Sequence, residues 1–330
     1  MTVRLIRTHD ALRTLDASRI DGAAVFLLGE LERLDRRINL PLQDFTWGRD
    51  VPVRSDVTIS DETTSYTRDF FASPGNQRAD GKHWIASETN EIAGVQESRS
   101  LLRNPLHPWA IEVKYSIFDL ERSQAVGRPI DQTKIMNAQR IYQGELNEFA
   151  YAGDATLGTK GILNLDDIPV TAAGAKTEGG TAWTEATSVD EIRADINALI
   201  KSTLESANEA VAPSRILMPW NNYSVIATRN ASEGSDTTIL NYIKQNNISN
   251  DVSGRQLEIY PCRWCGKAGA GQTARMIAYT PDEQYVRLPV VPLMRTPLDQ
   301  RGLFFSFLYY GTIGSVENVY PETVGYMDGI

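Results

Sequence analysis

The sequence predicts an α+β chain organised around one long helix, and three observations carry that prediction. Residues Asp131 to Gly153 hold Ile135, Ala138, Tyr142, Leu146 and Phe149 at steps of three and four, which puts them on one face of a single helix. Between Phe45 and Phe118 that period gives way to alternation, cleanest where Ile111, Val113, Tyr115 and Ile117 alternate with Glu112, Lys114 and Ser116. After Gly180, helical and strand-like segments interleave, which predicts a mixed lobe of helices packed on a sheet.

At 330 residues the chain exceeds the size at which single cores stop growing, so two or three lobes are expected. An apolar fraction of 42% with 23% charged residues belongs to a folded chain with a sizeable core. A formal net charge of -9 argues against a protein whose main task is gripping a nucleic-acid backbone, because that needs a concentrated basic face. No apolar run approaches the ~20 residues of a membrane-spanning helix, and Leu303 to Tyr310 is strand-length. Met1 to Ile20 mixes Arg4, Arg7, Arg13 and Arg19 with Asp10 and Asp16 and lacks a secretory core, so synthesis in the cytoplasm is expected. Cys262 and Cys265 alone supply no disulfide framework.

Residues 1–44 read as an N-terminal arm. Within it Ala23 to Ile38 carries Ala24, Leu27, Leu28, Leu31 and Leu34 at helical spacing, with Arg33, Arg36 and Arg37 near the end where cations suit the helix dipole, and Pro41 closes it. In the extended region 45–118, Val51/Val53 and Val57/Ile59 are expected strand pairs, and Ser73 to Gly81 is a turn-rich tip. Few aliphatic residues lie between Val57 and Trp84, so the predicted hairpin has little core of its own and is expected to lie on another molecule. Pro74, Gly75, Asn76 and Arg78 at the tip are the contact candidates, with Arg33, Arg36 and Arg37 of the arm. Trp47, Trp84 and Trp109 serve either as anchors between subunits or as ordinary packing beneath the hairpin.

Beyond the long helix, Gly158 to Val170 reads as a tight connector and Thr171 to Gly180 as a small-residue loop. Ser188-Val189-Asp190-Glu191 is a capping box opening a helix with Ile192, Ile196, Leu199 and Leu204 inward. Arg215 to Met218 is a buried strand, Pro219 starts a helix to Thr228, and Asp236 is expected to cap Thr237 to Asn246. Strands are expected at Gln256 to Tyr260, Ala274 to Thr280, Tyr285 to Leu288, Leu303 to Thr312 and Ser315 to Tyr320.

No motif marks a catalytic centre or a cofactor site. Cys262-Arg263-Trp264-Cys265 lacks the further ligands of a structural zinc, since His9, His83 and His107 are distant in sequence. Glycine-rich sequence follows it instead of a helix, so the pair is expected to be thiols in a surface loop, with Trp264 and Lys267 beside them. Gly269 to Ala274 fits G-x-G-x-x-A, but Arg275 to Tyr279 reads as strand where a dinucleotide site needs a helix. A nucleotide-binding enzyme built on that loop is the alternative from another class.

Gly153 to Gly158 (Gly-Asp-Ala-Thr-Leu-Gly), Ile162-Leu163-Asn164, Ile192 to Leu204, Asp236 to Leu240, Ala278-Tyr279-Thr280-Pro281 and the closing Tyr320 to Ile330 resemble the major capsid proteins of tailed bacteriophages, the Hong Kong ninety-seven fold. The resemblance implies a non-enzymatic shell subunit in which 45–118 forms an extended loop lying over a neighbour. It also implies a peripheral domain at 119–186 with the spine helix at 131–153, an axial domain at 187–298, and C-terminal strands at 299–330 returning to the peripheral domain. Cys262, Trp264, Cys265 and Lys267 would then belong to an axial loop. The implied partners are the chain itself in pentamers and hexamers, portal, scaffold and decoration proteins, and packaged double-stranded DNA contacted without sequence preference. There is no membrane partner; assembly would occur in the host bacterial cytoplasm and the product would be the virion capsid. No scaffolding domain precedes the arm, which implies a separate scaffold protein or none. Some relatives weld neighbours through a lysine to asparagine bond helped by a glutamate, roles into which Lys82, Asn318, Glu317 and Glu322 can be cast. An encapsulin-type compartment holding cargo enzymes is the alternative on the same fold.

Overall fold

The computed structural model describes residues 44–72, 94–119, 121, 130–232 and 236–330. The expected arm helix lies outside them. In chain order the elements used below are α1 (Trp47–Asp50), β1 (Val53–Arg54), β2 (Thr63–Ala72), β3 (Gln96–Ser116), α2 (Ile130–Ala152), β4 (Val170–Ala172) and α3 (Val189–Ser206). They continue with β5 (Arg215–Met218), α4 (Trp220–Thr228), α5 (Ile239–Gln245), α6 (Ile248–Ser253), β6 (Glu258–Pro261), β7 (Arg275–Tyr279) and β8 (Val286–Arg295). The last are β9 (Asp299–Arg301), β10 (Phe304–Gly314), β11 (Glu317–Asn318) and β12 (Gly325–Asp328).

One strand does two jobs. β3 has 21 residues, about 70 Å at the rise of an extended chain. Its second half, Leu106 to Ser116, pairs antiparallel with β10, while its first half pairs, among the described residues, only with β2, from Thr63↔Pro105 to Ala72↔Gln96. In the body half Leu106, Val113 and Tyr115 are buried; from Gln96 to Leu101 every residue is exposed. The sheet to which β3 belongs runs β1-β8-β10-β3-β2, with β11 on β8 and β9 on β10. The strand β2 thus forms a two-stranded arm with β3 that leaves the body.

The long helix forms because its apolar stripe finds that sheet. Ala138, Tyr142 and Leu146 are buried on the body, with Ile135 and Phe149 packed at their margins. Its end explains the Gly153 to Gly158 phrase. Gly153 sits at φ +70°, where a Cβ would lie 2.4 Å from the Thr159 carbonyl, so glycine lets the chain turn back tightly. The returning chain then satisfies the helix's last carbonyls: the Ile162 N–H donates to Ala150 at 2.9 Å, the Leu163 N–H to Tyr151 at 3.1 Å, and the Asn164 side chain to Ala152 at 2.8 Å.

The second sheet runs β4-β12-β7-β5-β6 and separates two cores. Leu217, Ile277, Tyr279 and Tyr326 face the long helix, whereas Ile216, Met218, Met276, Ala278 and Met327 face α3, α4 and α5. This is the period-two alternation of a strand buried on both sides, which is why Arg275 to Tyr279 reads as continuous burial. The predicted capping box is present, with the Glu191 side chain accepting from the Ser188 N–H at 3.0 Å.

Several expectations differ from the fold. Val57 and Ile59 form no strand, because the Asp61 carboxylate accepts from both the Thr58 N–H and hydroxyl and makes a turn there. The expected loop from Thr171 to Gly180 begins with β4, paired parallel to the C-terminal strand β12. Thr238, not Asp236, caps α5, its hydroxyl accepting from the Asn241 N–H at 3.3 Å. The strand expected to stop at Leu288 continues to Arg295, with Pro292 falling at the register irregularity between Tyr310 and Thr312 of β10. Ser315 to Tyr320 keeps only the pair Glu317–Asn318 as strand.

Candidate assembly surfaces

The arm is the least self-sufficient part of the described chain. Phe71 is 83% exposed, Phe70 59% and Leu101 51%, all on the two-stranded arm, with Val95 exposed where β3 begins. A two-stranded ribbon with no second layer is marginal in water, so this apolar surface is unsatisfied in a single chain. Arg99 and Asp69 pair across the strands at 2.6 Å, and the guanidinium holds the Asp69 carboxyl below its usual range.

The arm's base is fastened to the body by contacts that sequence reasoning missed. Tyr66 donates to the Asn318 carbonyl at 3.1 Å, and Arg68 donates to Val319 at 2.9 Å and to Asn318 at 2.7 Å. The segment they grip is itself held by Glu317, whose fully buried carboxylate accepts from Arg54 at 3.1 Å and Arg287 at 2.7 Å. Desolvation, opposed by Arg68, raises the Tyr66 phenol above its ordinary range, so it stays a hydrogen donor. These partners lie some 250 residues apart along the chain, and no local pattern announces them.

Of the predicted contact residues, Trp47 and Trp109 fall within the described chain, and both rest on the long helix. Trp47 donates from Nε1 to Gln143 of the long helix at 2.9 Å, and Trp109 donates to Glu145 while meeting Tyr142 edge-on. Asn147 accepts from the Thr46 and Trp47 N–H groups, docking α1 onto the same helix. Trp84, Pro74, Gly75, Asn76, Arg78, Arg33, Arg36, Arg37 and Lys82 lie outside the described residues. Asn318 is buried, its amide atoms unpartnered, while the neighbouring Glu317 carboxylate is engaged by two arginines.

The cysteines contradict the surface-loop expectation. Cys262 is 2% exposed and Cys265 is fully buried, both within the core beneath the long helix. The cause is local. The glycine-rich sequence starts with a tight 3-10 turn over Arg263–Lys267 that folds Cys265 back onto the sheet, leaving Gly266 and Lys267 outside. Trp264 packs half-buried against the same core. As expected, a strand follows the Gly269 loop, and the loop is closed by Asp328 accepting from the Ala270 N–H at 3.0 Å.

Among the described residues no three of His, Cys, Asp or Glu gather as a metal site, and no helix is long and apolar enough to cross a membrane.

A family model described as major capsid protein matches residues 81–330 of the chain. Among solved structures, the capsid of Myoviridae phage XM1 superposes with a TM-score of 0.74 at 16% identity, over 91% of this chain and 97% of that one. Mycobacterium phage Che8 follows with a TM-score of 0.59 at 11% identity, over 90% and 96% of the two chains. The capsid of a native GTA particle gives 0.57 at 11% identity, over 98% and 99%. At these identities the likeness is one of fold. No curated protein matches the chain.

Proposed function

The chain belongs to the major capsid protein family, and from that premise we propose that it builds the icosahedral shell of a tailed phage or prophage, assembling as pentamers and hexamers around double-stranded DNA. The observation that carries the reading is the β2–β3 arm, which extends from the body with Phe70 and Phe71 in solvent and, among the described residues, with no apolar layer beneath it. An adjacent copy supplies that layer. Residues 119–186 with the long helix form the peripheral domain and 187–298 the axial domain, whose edges meet neighbours around the symmetry axes. The role is structural and non-enzymatic. DNA is enclosed without tight phosphate contacts, in keeping with a net charge of -9. Portal, scaffold and decoration proteins are the remaining partners, and the virion is where the chain ends up.

The contents of particles released from a producing host test this directly. Nuclease-protected double-stranded DNA inside shells built of this chain is the expected finding. Shells that carry a cargo enzyme and no genome contradict it and point to a compartment protein of the same fold.

A further inference from the structure

The β2–β3 ribbon has two unlike faces. Tyr66 and Arg68 turn one of them toward residues 318 and 319 of their own chain, and the period-two alternation of a strand puts Phe71 on the other, with Leu101 of β3, which pairs with Thr67. Phe71 is the most exposed large apolar side chain of the described residues. A second apolar surface lies open on the body. There α1, β1, the long helix and β8 border a groove of about 500 Å³ walled by Trp47, Val53, Leu146, Pro292 and Leu293. The Trp47 indole N–H is taken by Gln143, so its ring serves as an apolar wall, and Val53 is exposed at the rim. A cavity of about 150 Å³ suffices for benzene, so this groove admits a phenyl ring. The two surfaces cannot meet within one chain. Val291 pairs with Thr312 and Thr312 with Pro108, which sets the groove level with Pro108 of β3, whereas Phe71 pairs with Glu97. Eleven residues of unbroken strand separate those levels, about 37 Å at the rise of an extended chain.

We infer that this groove is the socket for Phe71 of a second copy of the chain, an assignment that rests on the shell-building reading and deepens it by naming both sides of one contact. Filling the groove removes from water the apolar surface that each side leaves uncovered. Phe70, on the ribbon's other face, stays outside the socket. Each copy carries a knob on its arm and a socket on its body, so the contact joins two different surfaces and repeats head to tail. Contacts of that kind close into rings when the rotation between neighbours divides a full turn, as clusters of five or six require.

The test places the photo-crosslinker p-benzoylphenylalanine at position 71 of the full-length chain, irradiates assembled particles, and maps the joined tryptic peptides by mass spectrometry. Subunits linked as dimers and larger multiples in denaturing gels, with attachment between Trp47 and Val53 or between Val290 and Leu293, are the expected result. Val53→Arg puts a charge at the socket's rim. Because Val53 is exposed, the variant is expected to melt with the native chain and to lose particle assembly at concentrations where the native chain forms particles. Particles whose crosslinks fall on another surface, as when residues 1–43 of the chain fill the groove, overturn the socket and leave the shell reading standing. Normal particles from Val53→Arg do the same. A native chain that forms no particles under any condition overturns the shell reading, and the socket with it.

Discussion

Trp109 of the long strand and Tyr142 of the long helix meet edge-to-face, with ring centroids 4.8 Å apart and planes at 62°. This contact joins the longest strand and the longest helix among the described residues, in the body half of β3 where Trp109 pairs with Gly311. The tryptophan Nε1 also donates to Glu145 one turn further along the helix.

Replacing Trp109 with alanine removes that joint, and for a half-buried ring the expected loss is about 2–3 kcal/mol in urea unfolding. Tyr142→Phe is expected to behave differently. Its hydroxyl is buried with no partner, so removing it leaves stability at or above that of the native chain.

Glu317 is the keystone of the arm's base. Its carboxylate is fully buried against Arg54 and Arg287, so Glu317→Ala leaves two largely buried guanidinium groups without it, a change of about 3–5 kcal/mol. Calorimetric melting checks the magnitude. Hydrogen exchange at Tyr66 and Arg68 checks the location, with protection expected to fall there first.

Acid sensitivity is expected at the C-terminal strand. Burial raises the Asp328 carboxyl, but hydrogen bonds from Arg275 at 2.6 Å and from the Ala270 N–H outweigh it, and the net shift is downward. A depressed folded pKa contributes stability that is fully present above the unfolded value, about 3.9 for Asp, and is lost as pH falls through the folded value. The gap in urea midpoint between the native chain and Asp328→Asn should therefore be full at pH 7 and shrink below about pH 4. A gap that stays constant with pH contradicts this assignment.

Phe70 and Phe71 separate folding from assembly. Because both side chains are mostly in solvent, the double change to serine should alter the stability of the isolated chain by no more than about 0.5 kcal/mol. Sedimentation velocity should nevertheless show that it no longer forms shells. Normal shells from this variant would remove the arm from the contact.

What was legible in the sequence follows from the range of the interactions. The long helix, the Ser188 capping box and the alternation from Ile111 to Tyr115 are set by neighbours within a few positions, and their signals are local. The two-sided burial of Arg275 to Tyr279 and the docking of Tyr66 and Arg68 on residues 318 and 319 depend on which strands meet, which no local window records. The cysteine turn shows the same limit in miniature. Glycines after Cys265 promised a surface loop, but its first turn is tight enough to fold both sulfurs into the core.

Cryo-electron microscopy of the purified chain under assembly conditions bears most directly on the claim that this molecule is completed by copies of itself. The account predicts closed shells of pentameric and hexameric clusters in which the β2–β3 arm of each copy rests on its neighbour. Monomers or small oligomers under every condition, with the arm folded against its own body, would contradict it.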